Sequence, residues 1–175
     1  MGLGRYELAK AVAVPNESVV NPVMTLSARV HNSRDGDQFH YLWAARRCLR
    51  LLDAAGDLKA VAVEGLSSRD GPAGTRAGEE VVDVAEYYGA ETILDARAVR
   101  YLQLKHSTVR VEQDWTASGL ANTLKGFGRT HAQLVGQYGE PETLDKVRYG
   151  LVTNRPVSPK VRTSVEELAA GATPT

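Results

Sequence analysis

Asp83, Gln103 and Lys105 are the residues whose types and spacing in this chain could do chemistry. Gln103 and Lys105 are two apart in the segment AVRYLQLKH (98–106), which alternates in polarity and is rich in β-formers. A strand there sends the amide and the ammonium to one face, with Leu102 and Leu104 pointing to the other, toward a core. Asp83 stands among Val81, Val82, Val84 and Ala85, an apolar setting in which an ionised carboxylate needs a cation or donors. Glu64 closes another alternating segment, LKAVAVE (58–64). If these strands are neighbours, the acids, the amide oxygen and the ammonium converge. Asp83 and Gln103, with the backbone carbonyl of Leu104 as a further ligand, are hard oxygen donors of the kind that hold Mg²⁺ or Mn²⁺ beside phosphate oxygens. Such an ion lowers the pKa of an attacking water and stabilises charge on a phosphoryl group; Lys105 would orient that water or offset the developing charge. Phosphodiester hydrolysis is the chemistry this set suits.

Each residue has an ordinary alternative. Asp83 could be neutralised by Arg97 or Arg100, Lys105 could be a solvated strand end, and Glu64 could cap its strand or pair with Lys59. Gln38 and His40 fall on the first turn of a predicted helix, where they are additional candidates or simple helix-end hydrogen bonders. His106 and Ser107 directly follow the lysine and could touch a phosphate. Arg46, Arg47 and Arg50 form a basic stripe that is either a DNA contact or a solvated face. Tyr87, Tyr88 and Trp115 read as packing residues rather than base-stacking platforms.

The elements that must position these residues follow from periodicity. Phe39, Leu42, Trp43, Leu49 and Leu52 recur at helical spacing, predicting a helix over 37–55 with Asp37 as N-cap and Gly56 as stop. Strands follow at 58–64, 80–87 and 98–106, separated by the Gly- and Ser-bearing loop 65–78 and the connection 89–96. A second helix is expected over 118–138, its glycines 126, 128 and 136 marking close packing or a kink. A fourth strand at 146–153 and a last helix at 158–170, stopped by Gly171, complete the pattern. Val23–Val30 reads as a short strand within an arm, residues 1–34, punctuated by Pro15, Asn16, Asn21 and Pro22 and packed on a domain of residues 35–175.

With 175 residues, 43% hydrophobic and 24% charged, the chain suits one globular domain. Its 21 basic and 21 acidic residues cancel, which excludes a protein that coats nucleic acid through bulk charge and leaves a local patch as the means of contact. No apolar run approaches a membrane span and the N-terminus lacks a secretory pattern, so a cytoplasmic protein without membrane contact is expected. Cys48 reads as a buried structural thiol.

The order helix, Glu64 strand, Asp83 strand, Gln103-Leu104-Lys105 strand is similar to the core of the PD-(D/E)xK, or restriction-endonuclease-like, superfamily, in the variant with Gln for the second acid. GDQFHYLWAARRCLRLL, VAVEG, GEEVVDVAEYYG, YLQLKHST, LKGFGRTHAQLV and LVTNRPVS, over about residues 35–170, together resemble the double-stranded DNA nuclease module of bacterial antiphage defence proteins. That module occurs in the CBASS-associated endonucleases and at the N-terminus of antiviral STAND NTPases. The resemblance implies an α/β fold with a mixed sheet of about four or more strands flanked by helices. It implies Mg²⁺-dependent endonucleolytic cleavage of duplex DNA, with the metal on Asp83 and Gln103 and the catalytic lysine at Lys105; Glu64 carries over less directly. It also implies a larger NTPase or nucleotide-sensing region, fused or associated, and oligomerisation on activation. The competing expectation is a catalytically inactive nucleic-acid-binding or oligomerisation module of the same fold. A further one is an adaptor in which Glu64, Asp83 and Lys105 form ion pairs.

Overall fold

A computed structural model describes residues 6–7, 26–70, 81–139 and 145–169, with side chains for 36–70, 81–139 and 145–167. Strand β1 is Tyr6–Glu7, helix α1 Leu26–Cys48, β2 Leu58–Val63, β3 Val84–Tyr88, β4 Ala98–Lys105, helix α2 Ala117–Tyr138, β5 Val147–Thr153 and helix α3 Pro159–Ala169. Short 3-10 turns cover Leu49–Leu52 and Ser68–Asp70. The strands form one sheet in the order β1-β5-β4-β3-β2. β2, β3 and β4 run antiparallel in succession, whereas β5 pairs parallel with β4 and β1 parallel with β5. The protein is thus mixed α/β, a mixed sheet flanked by helices, as its sequence predicts.

Alternation along the strands divides the core in two. Ala85, Tyr87, Val99, Tyr101, Val147 and Tyr149 pack with Phe127 and Leu134 of α2. Val84, Leu102, Leu104 and Val152 pack on the other face with Phe39, Trp43 and Ala44 of α1, so Leu102 and Leu104 enter the core as predicted. α3 closes the α2 side through Val161, against Leu120 and Leu151. Thr116 caps α2, its hydroxyl accepting from Gly119 N at 3.3 Å. Gly126 marks close packing: a Cβ there would stand 2.8 Å from Val81 Cγ2.

Five expectations need correction. The strand expected at Val23–Val30 fails over its described part, Leu26–Val30, which belongs to α1, so Gly36 and Asp37 lie inside the helix and Asp37 is no N-cap; residues 23–25 lie outside the described residues. The polar run Asn32–Asp37 resembles a loop, and the backbone is helical through it. The predicted apolar stripe does not all face the core, because Leu42 of α1 and Leu49 and Leu52 of the following 3-10 turn are 71%, 65% and 81% exposed; Phe39, Trp43 and Ala44 make the contact. Cys48 is half-buried rather than buried. The 80–87 strand starts only at Val84, since the chain bends at Asp83. Pro15, Asn16, Asn21, Pro22, Glu80, Gly171 and residues 71–78 of the predicted loop lie outside the described residues.

Candidate active site

The ends of β2, β4 and β5 and the start of β3 lie at one end of the sheet, because β3 runs opposite to its neighbours. Glu64 follows β2, Asp83 precedes β3, Gln103 and Lys105 end β4, and Arg155 follows β5. The sequence-predicted residues therefore gather at one edge, although they do not all meet.

Asp83 is fixed by its backbone. Its N–H donates to Leu102 O at 2.9 Å, while Leu102 is also the register partner of Val84, so two consecutive residues are set against one. A two-against-one arrangement is that of a β-bulge, which turns a side chain out of the strand's alternation. Strict alternation would send Asp83 with Ala85 and Tyr87 toward α2. Its carboxylate instead lies in the fork between β3 and β4, Oδ2 accepting Leu104 N at 2.6 Å and Oδ1 standing 3.9 Å from His40 Nδ1 of α1. The Asp83 O accepts Glu64 N at 2.8 Å, which draws the end of β2 to the same place.

His40 also donates Nε2–H to Leu104 O at 2.9 Å; a carbonyl only accepts, so that nitrogen carries the proton. Both backbone groups of Leu104 that face the fork are thus engaged, one by Asp83 and one by His40. Glu64 is exposed, with a left-handed backbone (φ 58°), and accepts the Tyr41 hydroxyl at 3.2 Å. Such a conformation is uncommon outside glycine and is strained; Gly65, at φ 132°, completes the turn.

Burial pushes the Asp83 carboxyl above its usual range, and the charge of Glu64 adds to this; the Leu104 N–H, His40 and Lys105 pull it back. Desolvation dominates, so the donors around Asp83 do not fully satisfy its ionised form. Arg97 and Arg100 do not supply the difference: Arg97 pairs with Asp57, and Arg100 lies 5.8 Å over the Tyr88 ring at the other end of β3. Lys59 bonds to Gly56 O, leaving Glu64 without that partner.

Gln103 shares its face of β4 with Lys105, beside Leu151 of β5. Its Oε1 is buried and has no hydrogen-bond partner among the described residues, a condition that costs about 1–3 kcal/mol unless a donor or cation supplies it. No hydrogen bond joins Gln103 to Asp83. The underfed carboxylate and the orphaned amide oxygen are each hard donors of the type a divalent cation takes, but Asp83 stands beside His40 of α1 whereas Gln103 shares the β4 face of Tyr101, which packs toward α2. Leu104 O fits with one lone pair only, the other being taken by His40. Among the described residues no group of three or more His, Cys, Asp or Glu side chains could hold a metal, so a cation here would depend on amide and carbonyl oxygens.

The remaining candidates separate. Gln38 is exposed and makes no hydrogen bond to the fork, and His106 stacks on Phe39 with ring centroids 4.8 Å apart. Arg46 and Arg50 are exposed, whereas Arg47 is turned inward and engages Glu86 and the Tyr88 hydroxyl. Sequence reasoning gave Tyr41 and Arg155 no role and read Trp115 as a packing residue; Trp115 does pack, on Leu120, Leu151 and Val161, but it also carries two cations. The Lys105 ammonium lies 5.6 Å from the Trp115 ring centroid and the Arg155 guanidinium 4.0 Å from it. The only signal was the aromatic at 115, near basic strand ends in no obvious sequence relation.

No family model matches the chain, and no curated protein matches it. No described helix is long and apolar enough to cross a membrane.

Proposed function

We propose that this protein is a metal-dependent endonuclease that hydrolyses phosphodiester bonds of double-stranded DNA, a PD-(D/E)xK effector module of cytoplasmic antiphage defence. The observation that carries this reading is the incompletely satisfied Asp83 carboxylate in the β3–β4 fork, with Lys105 and Glu64 within electrostatic reach. Asp83, Gln103 Oε1 and the Leu104 carbonyl would hold Mg²⁺ or Mn²⁺, which when bound acidifies water and stabilises phosphoryl charge. Lys105, whose ammonium lies 5.6 Å from the Trp115 ring centroid, would orient the attacking water or balance charge on the phosphate. His40 positions the Leu104 carbonyl, and Glu64 holds the Tyr41 hydroxyl at the rim. A larger NTPase or nucleotide-sensing partner and oligomerisation on activation belong to the same proposal.

The test is nicking of supercoiled plasmid in Mg²⁺, repeated with EDTA and with Lys105→Ala. Cleavage should vanish in both; cleavage that survives both excludes this centre.

A second reading, an inactive nucleic-acid-binding or oligomerisation module of the same fold, is favoured by the prior engagement of Leu104 O by His40. It expects DNA binding without nicking and no rise in melting temperature with Mg²⁺. A working site should be stabilised by about 2.7 kcal/mol at a hundredfold excess of metal over its dissociation constant.

A further inference from the structure

Beside the fork, two cations share one aromatic ring. Trp115 is firmly held: its Nε1 donates to Thr153 Oγ1 at 3.0 Å, its N–H to Pro156 O at 2.8 Å, and its carbonyl accepts Ser158 N at 3.1 Å. Its ring packs on the cluster of Leu120, Leu151 and Val161. Thr153 is the register partner of Lys105, so the indole is anchored on the strand next to the lysine. Arg155 lies over the ring, with Nε donating to Gln113 O at 2.7 Å and Nη2 to Asp114 O at 3.2 Å.

These partners orient the guanidinium without neutralising it, since carbonyls and an indole face carry no net charge. Arg47, Arg69 and Arg97 each have a carboxylate at ion-pair distance, whereas among the described residues Arg155 and Lys105 have none. Arg155 Nη1 makes no hydrogen bond among the described residues. The first turn of α2, directly after Trp115, adds positive potential of the same sign. Two like charges on one indole, one with a free donor edge, make a preformed anion site.

We propose that Arg155, stacked on Trp115, binds a backbone phosphate of the DNA strand adjacent to the phosphate that Asp83 and Lys105 address. This rests on the nuclease reading and adds to it a residue that orients the strand without reading its sequence.

The test measures duplex binding in EDTA by fluorescence anisotropy across a salt series, for the wild type, Arg155→Gln and Arg155→Lys, with plasmid nicking in Mg²⁺ assayed separately. Arg155→Gln should flatten the plot of log affinity against log salt by about 0.9, the contribution of one phosphate, equally for unrelated sequences. Arg155→Lys keeps the charge and should retain the wild-type slope. An unchanged slope in Arg155→Gln, equal loss in both variants, or no binding by the wild type would each overturn the proposal. Wild-type nicking with an unmoved slope rejects Arg155 and keeps the nuclease; a moved slope without nicking does the reverse.

Discussion

Two carboxylates three residues apart on one stretch of chain have opposite fates. Glu86 is fully buried, yet Arg47 engages both of its oxygens and the Tyr88 hydroxyl donates to it at 2.6 Å. Asp83 is less deeply buried, with a side chain 29% exposed, but holds one backbone donor at 2.6 Å and a histidine at 3.9 Å. The end of β3 that carries Glu86 is electrostatically closed; the end that carries Asp83 is open. Burial alone therefore does not mark a structural acid. What separates them is the count of donors, and a carboxylate left short of donors is the one available to a cation.

The strongest test of this contrast is kinetic. Asp83→Asn should lower nicking by on the order of a thousandfold, the scale of removing one preorganised charge-stabilising group, with little change in the urea midpoint. A comparable loss of stability would make Asp83 a structural acid like Glu86. Next in size, Arg47→Ala leaves Glu86 buried without its cation and should destabilise by about 3 kcal/mol, the lower end for a broken buried pair because Arg47 is partly open. Urea denaturation reads this directly, and an unshifted midpoint would erase the distinction between the two ends.

Smaller, and specific to Asp83, is a pH effect in metal-free buffer. Its folded pKa is raised above 3.8, so the native state binds the proton more tightly than the unfolded chain. The resulting stability is complete below 3.8 and is lost as pH rises through the folded value. Asp83→Asn does not ionise and should gain on the wild type between those points; a difference that stays flat with pH refutes the assignment. Smallest is Gly36→Ala. Nothing lies within 4 Å of the added methyl inside α1, so the helix should gain about 1 kcal/mol. Because α1 carries both His40 and Arg47, this gain should add equally to the Asp83→Asn and Arg47→Ala proteins.

Much of the frame was legible because its signals are local. The alternation of AVRYLQLK gives β4 and its two faces, and the helix expected over 118–138 is α2, which starts one residue earlier at Ala117. The first half of α1 was not legible: between Leu26 and Asp37 polar residues and Gly36 supply neither an apolar stripe nor a believable cap. Asp83 was found through its apolar neighbours, but its turn out of alternation depends on a shared partner, Leu102, nineteen residues away and invisible to periodicity. His40 reaches Leu104 across 64 positions, and Trp115 gathers Lys105 from β4 and Arg155 from the bend after β5. Such convergence is tertiary, and no spacing along the chain encodes it.

The bare backbone at Gly126 has a mechanical meaning. It lets the α2 backbone rest directly on the Val81 side chain, two positions ahead of Asp83, with no side chain of the helix in between. Any tilt of that helix would be passed directly to the stretch that carries Asp83. A single missing methyl thus leaves a short mechanical path between α2 and the start of β3.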